Sequence, residues 1–233
     1  MTQHKVATSK NEWNAARKAL LEREKAYTRQ GDELAAARRA LPWLKVDRDY
    51  RFQTGDGEKS LAELFGAHHQ LIVYHFMFHP DWEVACKSCS FWSDHFAPTL
   101  PHLAARDVSL VAVSRAPLAK LEAFAKRMGW THPLVSSFGS EFNYDFDVSF
   151  TEEQSGATYN FAPKTGSAPE LPGLSAFYKD DAGAIWHTYS AYGRGVETVN
   201  TTYRFLDLAP RGRDEDDLEH PMAWLRLKDE YDG

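Results

Sequence analysis

The chain has 233 residues, of which 43% are hydrophobic and 26% are charged, and its formal net charge is −6 at pH 7. This composition indicates one folded domain with an appended element and excludes a disordered or collagen-like chain. The acidic balance argues against nucleic acid or anionic lipid as a partner. The longest apolar run, Leu71 to Phe78, is too short to cross a membrane, and the polar N-terminus has no signal-peptide pattern, so we expect a cytoplasmic protein.

Residues 1–43 are predicted to form an N-terminal helical arm. Ser9 and Glu12 have the spacing of a capping box, and apolar residues follow at helical intervals. A second short helix is predicted from Asp32 to Ala40. Because one face of the arm is apolar, pairing of two arms in a homodimer is one hypothesis for their role.

Residues 44–210 are predicted to form an α/β domain. Gln70 to Phe78 and Val108 to Ser114 are typical of buried strands, and each is followed by a helical pattern. Leu174 to Tyr178 and Ala184 to Tyr189 predict a hairpin, which precedes a final helix. This order of elements is that of a thioredoxin-like fold, a central mixed sheet flanked by helices.

Two segments of the chain have no clear periodicity. Residues 134–170, and most plainly Leu134 to Tyr159, are predicted to be an irregular insertion in the domain. Residues 211–233 are predicted to be an acidic C-terminal tail with a short amphipathic segment around Trp224 and Leu227.

The only two cysteines form the sequence Cys86-Lys87-Ser88-Cys89, directly after a buried strand and at the start of a helix. Unpaired N–H groups at a helix start stabilise a thiolate, so Cys86 is the candidate nucleophile. Cys89, one turn further along, is placed to resolve a mixed disulfide. Lys87 adds a cation that is expected to lower the thiolate pKa further.

Other functions of the pair remain open on the sequence alone. A structural zinc site needs four ligands, and Cys86 and Cys89 would supply two of them. A metal-binding or metal-delivery site would add a histidine, and His75, His79 and His95 are near in the sequence. Inert thiols are a further alternative. A peroxidase is the weaker hypothesis, because no threonine lies between Pro80 and Cys86 to hold a peroxide. No cofactor is predicted.

Several residues around the pair are candidates for supporting roles. Pro172 precedes the hairpin, where thioredoxin-type folds place a cis-proline opposite the dithiol. Arg115 is a candidate for orienting an oxyanion, and His79 for a general base. Trp82 and Trp92 belong to a group of aromatic residues close to the cysteine pair in the sequence. This group either packs in the core or lines an apolar pocket for a small organic substrate.

Six stretches of the chain resemble the bacterial thioredoxin-like family catalogued as domain of unknown function 899. They are Glu12–Leu21, Arg38–Trp43, Val73–Phe78, Cys86–Trp92, Ser114–Pro117 and Phe142–Phe146. The resemblance covers nearly the whole chain and implies a thioredoxin-like fold of the thiol-specific antioxidant type in a cytoplasmic setting. The chain departs from the family pattern with Ala85 in place of glycine before the first cysteine, and with His79 in place of glycine before Pro80-Asp81.

The leading functional prediction is a thiol–disulfide oxidoreductase. Its substrate is predicted to be a protein or small-molecule disulfide, and a thioredoxin or glutathione system would restore the dithiol.

Overall fold

The computed structural model of the chain describes residues 5–151 and 156–231. The chain separates into two compact units, Met1–Pro42 and Trp43–Gly233. No helix among the described residues is long and apolar enough to cross a membrane.

The first unit contains one long helix, α1 (Lys10–Arg39). The Ser9 hydroxyl caps it by accepting the N–H of Glu12 at 3.2 Å, while the Glu12 carboxylate accepts the N–H of Thr8 at 2.8 Å. The two predicted helices are therefore one, because no proline or capping residue stops the helix near Gly31, and an isolated glycine in a helix costs only about 1 kcal/mol. None of the described side chains of α1 is fully buried.

The second unit contains ten strands and six helices among its described residues. The strands are β1 (Leu44–Lys45), β2 (Arg51–Thr54), β3 (Gly57–Ser60), β4 (Gln70–His75), β5 (Val108–Ser114), β6 (Leu134–Ser136), β7 (Thr158–Tyr159), β8 (Ala162–Pro163), β9 (Gly173–Lys179) and β10 (Ile185–Tyr192). The helices are α2 (Leu61–Leu64), α3 (Lys87–Ser93), α4 (Leu100–Ala104), α5 (Leu118–Met128), α6 (Phe142–Asp145) and α7 (Thr201–Leu206). Short 3-10 turns cover Ala97–Thr99, Gly193–Val199 and Lys228–Glu230.

Eight strands form one mixed sheet in the order β1-β10-β9-β4-β5-β6-β2-β3, and β7 and β8 form a separate small hairpin. β4, β5 and β6 run parallel, whereas β9 is antiparallel to β4 and β10 is antiparallel to β9. Helices α3 and α4 connect β4 to β5, and α5 connects β5 to β6. This arrangement confirms the predicted thioredoxin-like α/β fold with a central mixed sheet flanked by helices.

The sheet separates two hydrophobic cores because side chains alternate along its strands. On β4, Tyr74 contributes to the core that contains the helix after the cysteines, whereas Leu71 and Val73 contribute to the opposite core. β4 is thus covered on both faces, as its continuous apolar sequence predicts.

Three local predictions need correction. The segment predicted as an irregular insertion contains β6, a strand of the main sheet that is too short to show a period, and α6. The predicted final helix begins as a 3-10 turn and becomes α-helical only at Thr201. The segment predicted as a C-terminal tail packs into the core, because Leu225 and Leu227 are each only 1% exposed.

Candidate active site

Hydrogen bonds to backbone carbonyl groups hold the loop between β4 and α3 in place. The Lys120 ammonium group, on α5, donates to the carbonyl oxygens of Pro80 and Trp82, both at 2.6 Å. The N–H of Cys86 donates to the carbonyl oxygen of Met77 at 3.1 Å. The first cysteine is therefore held in place by backbone contacts as well as by the helix that follows it.

Cys86 caps the N-terminus of α3 and is partly buried. A hydrogen bond from the Cys89 thiol is the main cause that lowers the pKa of Cys86; burial opposes it, and the N–H groups of Cys89 and Ser88 add to the lowering. The result is a pKa of about 6, against 9.0 for an ordinary thiol. Since α3 has only seven residues, these local donors matter more than a helix dipole. At neutral pH Cys86 is a thiolate.

Cys89 has the opposite environment. It is 1% exposed, and burial raises its pKa well above the ordinary value, with the Cys86 charge raising it further. Two groups oppose this rise: the Tyr74 hydroxyl and the N–H of Met77, whose nitrogen lies 3.5 Å from Cys89 Sγ. Cys89 is therefore a protonated thiol that already faces two hydrogen-bond donors.

The two cysteines form an asymmetric dithiol. Both are free thiols, three positions apart along the chain and within hydrogen-bond reach of each other. The environment makes one sulfur a partly exposed nucleophile and the other a buried proton donor. Such a separation of pKa values between neighbouring groups is the usual mark of a functional pair.

Two tyrosines whose pKa responds to Cys89 were not predicted as site residues. Tyr74 is 1% exposed and lies on β4, on the face that packs against α3. Tyr159, on β7, is close enough for the Cys89 charge to raise its pKa, although burial is the main cause that brings it to about 12. The only sequence signal for Tyr74 is its position in the buried strand that precedes the loop to the cysteines.

Pro172 does not have the predicted cis bond, because the peptide bond that precedes it is trans. Its carbonyl oxygen accepts a hydrogen bond from the Tyr159 hydroxyl at 2.7 Å, and that hydroxyl accepts the N–H of Gly193 at 2.7 Å. Gly173, the next residue, pairs with His75 on β4. Pro172 thus precedes the strand beside β4, as predicted, but its carbonyl is engaged by Tyr159.

Arg115 and His79 lie together at a cleft of about 1050 Å³, which is lined in part by His79, Trp82, Arg115, Tyr144, Phe150 and Lys164. The Arg115 guanidinium pairs with the buried Glu170 carboxylate at 2.9 Å and lies 4.5 Å from the centre of the Tyr144 ring. Burial, followed by the Arg115 charge, lowers the pKa of His79, so its ring is neutral at pH 7. Within the described part of the chain neither cysteine lines this cleft.

The remaining predicted residues have simpler surroundings. Trp92 is 4% exposed, and its indole N–H donates to the carbonyl oxygen of Val196 at 2.9 Å, so it is a core residue and not a wall of a substrate pocket. Lys87 is exposed and is not among the main causes of the low Cys86 pKa, which come from Cys89 and Ser88. Trp82 is partly buried and lines the cleft.

The metal-binding alternative lacks its third ligand in the described structure. Across residues 5–151 and 156–231, no three side chains of histidine, cysteine, aspartate or glutamate come together in a way that would hold a metal ion. His75 instead lies on β4, where its Nε2 is 2.9 Å from Ser175 Oγ. His95 Nε2 is 3.0 Å from Thr202 Oγ1.

The sequence matches the model of one protein family, described as bacterial protein of unknown function (DUF899), over residues 1–231. This match confirms the resemblance seen in the sequence. No curated protein matches the chain.

Several solved structures are similar at low identity. A PrxQ mutant from Xylella fastidiosa is 17% identical, with 71% of this chain and 96% of that chain covered and a TM-score of 0.46. A peroxiredoxin Q mutant from Xanthomonas campestris is also 17% identical, with coverages of 68% and 90% and a TM-score of 0.43. The peroxidoxin BcpB from Mycobacterium tuberculosis is 16% identical, with coverages of 70% and 96% and a TM-score of 0.41.

Proposed function

This chain belongs to the bacterial family of unknown function DUF899, and we propose that it is a thiol–disulfide oxidoreductase with Cys86 as its nucleophile and Cys89 as its resolving thiol. The observation that carries this proposal is the asymmetry of the pair, a partly exposed thiolate beside a buried thiol. A thiolate is the attacking species in disulfide exchange, and a pKa below the ambient pH keeps it populated.

The reaction has two exchange steps. The Cys86 thiolate attacks one sulfur of a substrate disulfide, forms a mixed disulfide with it and releases the other sulfur as a thiolate, which takes up a proton. Cys89 then loses its proton and attacks Cys86 Sγ, which forms the Cys86–Cys89 disulfide and releases the second substrate thiol. Two electrons pass from the dithiol to the substrate.

Tyr74 and Met77 assist the second step in this proposal. Cys89 must become a thiolate in a buried site, where an unpaired charge is costly. The Tyr74 hydroxyl and the Met77 N–H are the donors that face its sulfur. They reduce this cost without a change of structure.

The substrate is a protein or small-molecule disulfide, and the electrons return from a thioredoxin or glutathione system. We place the protein in the cytoplasm, where these systems keep cysteines reduced. The cleft at Arg115 and His79 is a candidate site for part of a substrate, because aromatic and cationic side chains line it together.

Trapping the mixed disulfide tests the proposal. The full chain carrying Cys89→Ser should react with oxidised glutathione or a disulfide-containing protein and accumulate a mixed disulfide at Cys86, visible by mass. The Cys86→Ser variant is the matched control and should form none at the same pH. If the two variants react equally slowly, or if the oxidised native chain contains no Cys86–Cys89 bond, the proposal is wrong.

Peroxide reduction is the second candidate, favoured by the same low-pKa thiolate. Cys86 would attack one peroxide oxygen and become a sulfenic acid, while the other oxygen takes up a proton and leaves as an alcohol or, from hydrogen peroxide, as water. Cys89 would then convert the sulfenic acid to a disulfide with loss of water. Against it, no threonine lies between Pro80 and Cys86, and Arg115 is already paired with Glu170. Treating Cys89→Ser with hydrogen peroxide distinguishes the two candidates, because only a peroxidase would form the sulfenic acid much faster than free cysteine compared at the same concentration of thiolate.

A further inference from the structure

The long helix of the first unit carries a line of exposed apolar side chains. Trp13, Leu20, Tyr27 and Leu34 follow one another at intervals of seven residues along α1. Their exposed fractions are 56%, 45%, 66% and 52%. In soluble proteins large apolar side chains grouped on one face usually mark a contact surface.

An interval of seven is the repeat of a coiled coil. A straight helix has 3.6 residues per turn, so a line of side chains seven residues apart drifts slowly around it. The line remains in contact with a second helix only if the two helices wind around each other with a left-handed twist. Four such positions span about 32 Å at 1.5 Å per residue, which is enough for a short coiled coil. Ala16 and Ala19 flank the line near its start and Ala26 and Ala37 further on, so two backbones can approach closely there.

The charges beside the line favour a parallel arrangement of two identical helices. When the four apolar positions are taken as the a positions, Glu12 and Glu33 are g positions, and Arg17 and Arg38 are the e positions five residues later. In a parallel pair each g residue faces the next e residue of the other helix. Glu12 would then face Arg17 of a second copy, and Glu33 would face Arg38.

An antiparallel arrangement would lose this complementarity. In an antiparallel pair the g positions of the two helices face each other, and the register that brings Trp13 opposite Gln30 places Glu12 opposite Glu33. Like charges in such positions are destabilising. In the parallel pair the polar residues Arg23 and Gln30 at the central d positions lie opposite their own copies, which limits the stability of the pair.

We propose that α1 pairs in parallel and in register with α1 of a second copy, so that the protein is a homodimer joined by a two-stranded coiled coil. The proposal rests on the first unit alone and is independent of the redox function.

Molar mass in solution tests the proposal. Light scattering of the full chain at micromolar concentration should give twice the 26.5 kDa of one chain. The double variant Leu20→Lys/Tyr27→Lys should give the single-chain mass. The matched control Ala15→Lys/Ala36→Lys places the same charges on the opposite face of α1 and should remain a dimer. A native chain of single-chain mass, or a dimer unaffected by the first variant, overturns the proposal.

Orientation is tested by cross-linking in a Cys86→Ser/Cys89→Ser background. Leu34→Cys should form a disulfide with itself in a parallel dimer. If Leu34→Cys chains mixed with Trp13→Cys chains form only the disulfide between the two variants, the helices are antiparallel and the proposed parallel register is wrong. As a second test, the reversal Glu33→Arg should weaken the dimer at least several-fold, and the added reversal Arg38→Glu should restore it; no restoration would count against the assigned charge pair.

Discussion

The hydrogen bond between the two cysteines can be tested by changing one atom. Cys89→Ser replaces a thiol donor with a hydroxyl donor at the same position, whereas Cys89→Ala removes the donor. In both variants Cys86 is the only cysteine left in the chain. Its titration is therefore observed without interference from a second thiol.

The expected difference follows from the cause of the low pKa. The Cys89 side chain is the largest of the groups that lower the pKa of Cys86 to about 6. A hydrogen bond to a charged group contributes about 1.5 to 3 kcal/mol, and one pKa unit corresponds to about 1.4 kcal/mol. Loss of the donor in Cys89→Ala should therefore raise the pKa of Cys86 by about one to two units, while Cys89→Ser should keep it near that of the native chain.

The rate of alkylation by iodoacetamide as a function of pH gives each pKa directly. The midpoint of the profile is the quantity to compare, because a thiolate of low pKa is also a weaker nucleophile and absolute rates partly compensate. Each variant unfolded in denaturant supplies its own reference value. The Cys86→Ser variant should react far more slowly at neutral pH than the native chain, since Cys89 is buried and protonated.

Two results would refute this reasoning. Equal midpoints in Cys89→Ser and Cys89→Ala would mean that the side chain at position 89 does not stabilise the Cys86 thiolate. Midpoints near 9 in both variants would mean that the N–H groups of Ser88 and Cys89 do not stabilise it either.

Three further predictions follow from the same structure. Tyr74→Phe should slow the attack of Cys89 on the mixed disulfide by about tenfold or more, because one hydrogen-bond donor to the Cys89 thiolate is lost. In a Cys89→Ser background the same substitution should leave the rate of mixed-disulfide formation unchanged, and stopped-flow kinetics measure both steps. The midpoint potential of the Cys86–Cys89 couple should lie between about −270 mV, the value for thioredoxin, and about −120 mV, because a stabilised thiolate favours the reduced form. Equilibration with glutathione measures this potential, and a value below about −270 mV would contradict the low Cys86 pKa. Burial is the main cause that raises the pKa of Glu170 to about 7 in the folded chain against an ordinary 4.5, so its contribution to the free energy of unfolding is fully present below pH 4.5 and is lost as the pH rises through 7. Glu170→Gln should remove about 2 kcal/mol of the difference in unfolding free energy between pH 5 and pH 7 in urea, and an unchanged difference would show that Glu170 does not titrate there.

The sequence predicts the main elements of the fold because their signals are local. β4 has a continuous apolar run, and the cysteine pair follows it directly, so the strand, loop and helix that carry the dithiol are all predicted. The hairpin of β9 and β10 is predicted because turn residues separate two apolar runs. β6 is missed because three residues are too few to show a period, and only its pairing with β5 identifies it as a strand.

The surroundings of the dithiol are harder to predict because they depend on contacts between distant parts of the chain. Tyr159 is 70 residues from Cys89 in the chain, and only the fold brings it close enough for the Cys89 charge to raise its pKa. Arg115 is a plausible free cation in the sequence, but its partner Glu170 is supplied by a segment 55 residues away. Trp92 lies on α3, only three residues after Cys89, yet its side chain packs into the core.

The burial of Cys89 also makes it a built-in reporter of the motions of this core. In the native chain an alkylating reagent reaches Cys86 directly, but it reaches Cys89 only when α3 separates from the strand beneath it. Under conditions where reclosing is fast, the ratio of the Cys89 labelling rate to that of an unfolded thiol gives the free energy of this opening. Labelling of the second sulfur thereby measures, without any engineered cysteine, how often the packing around the dithiol opens.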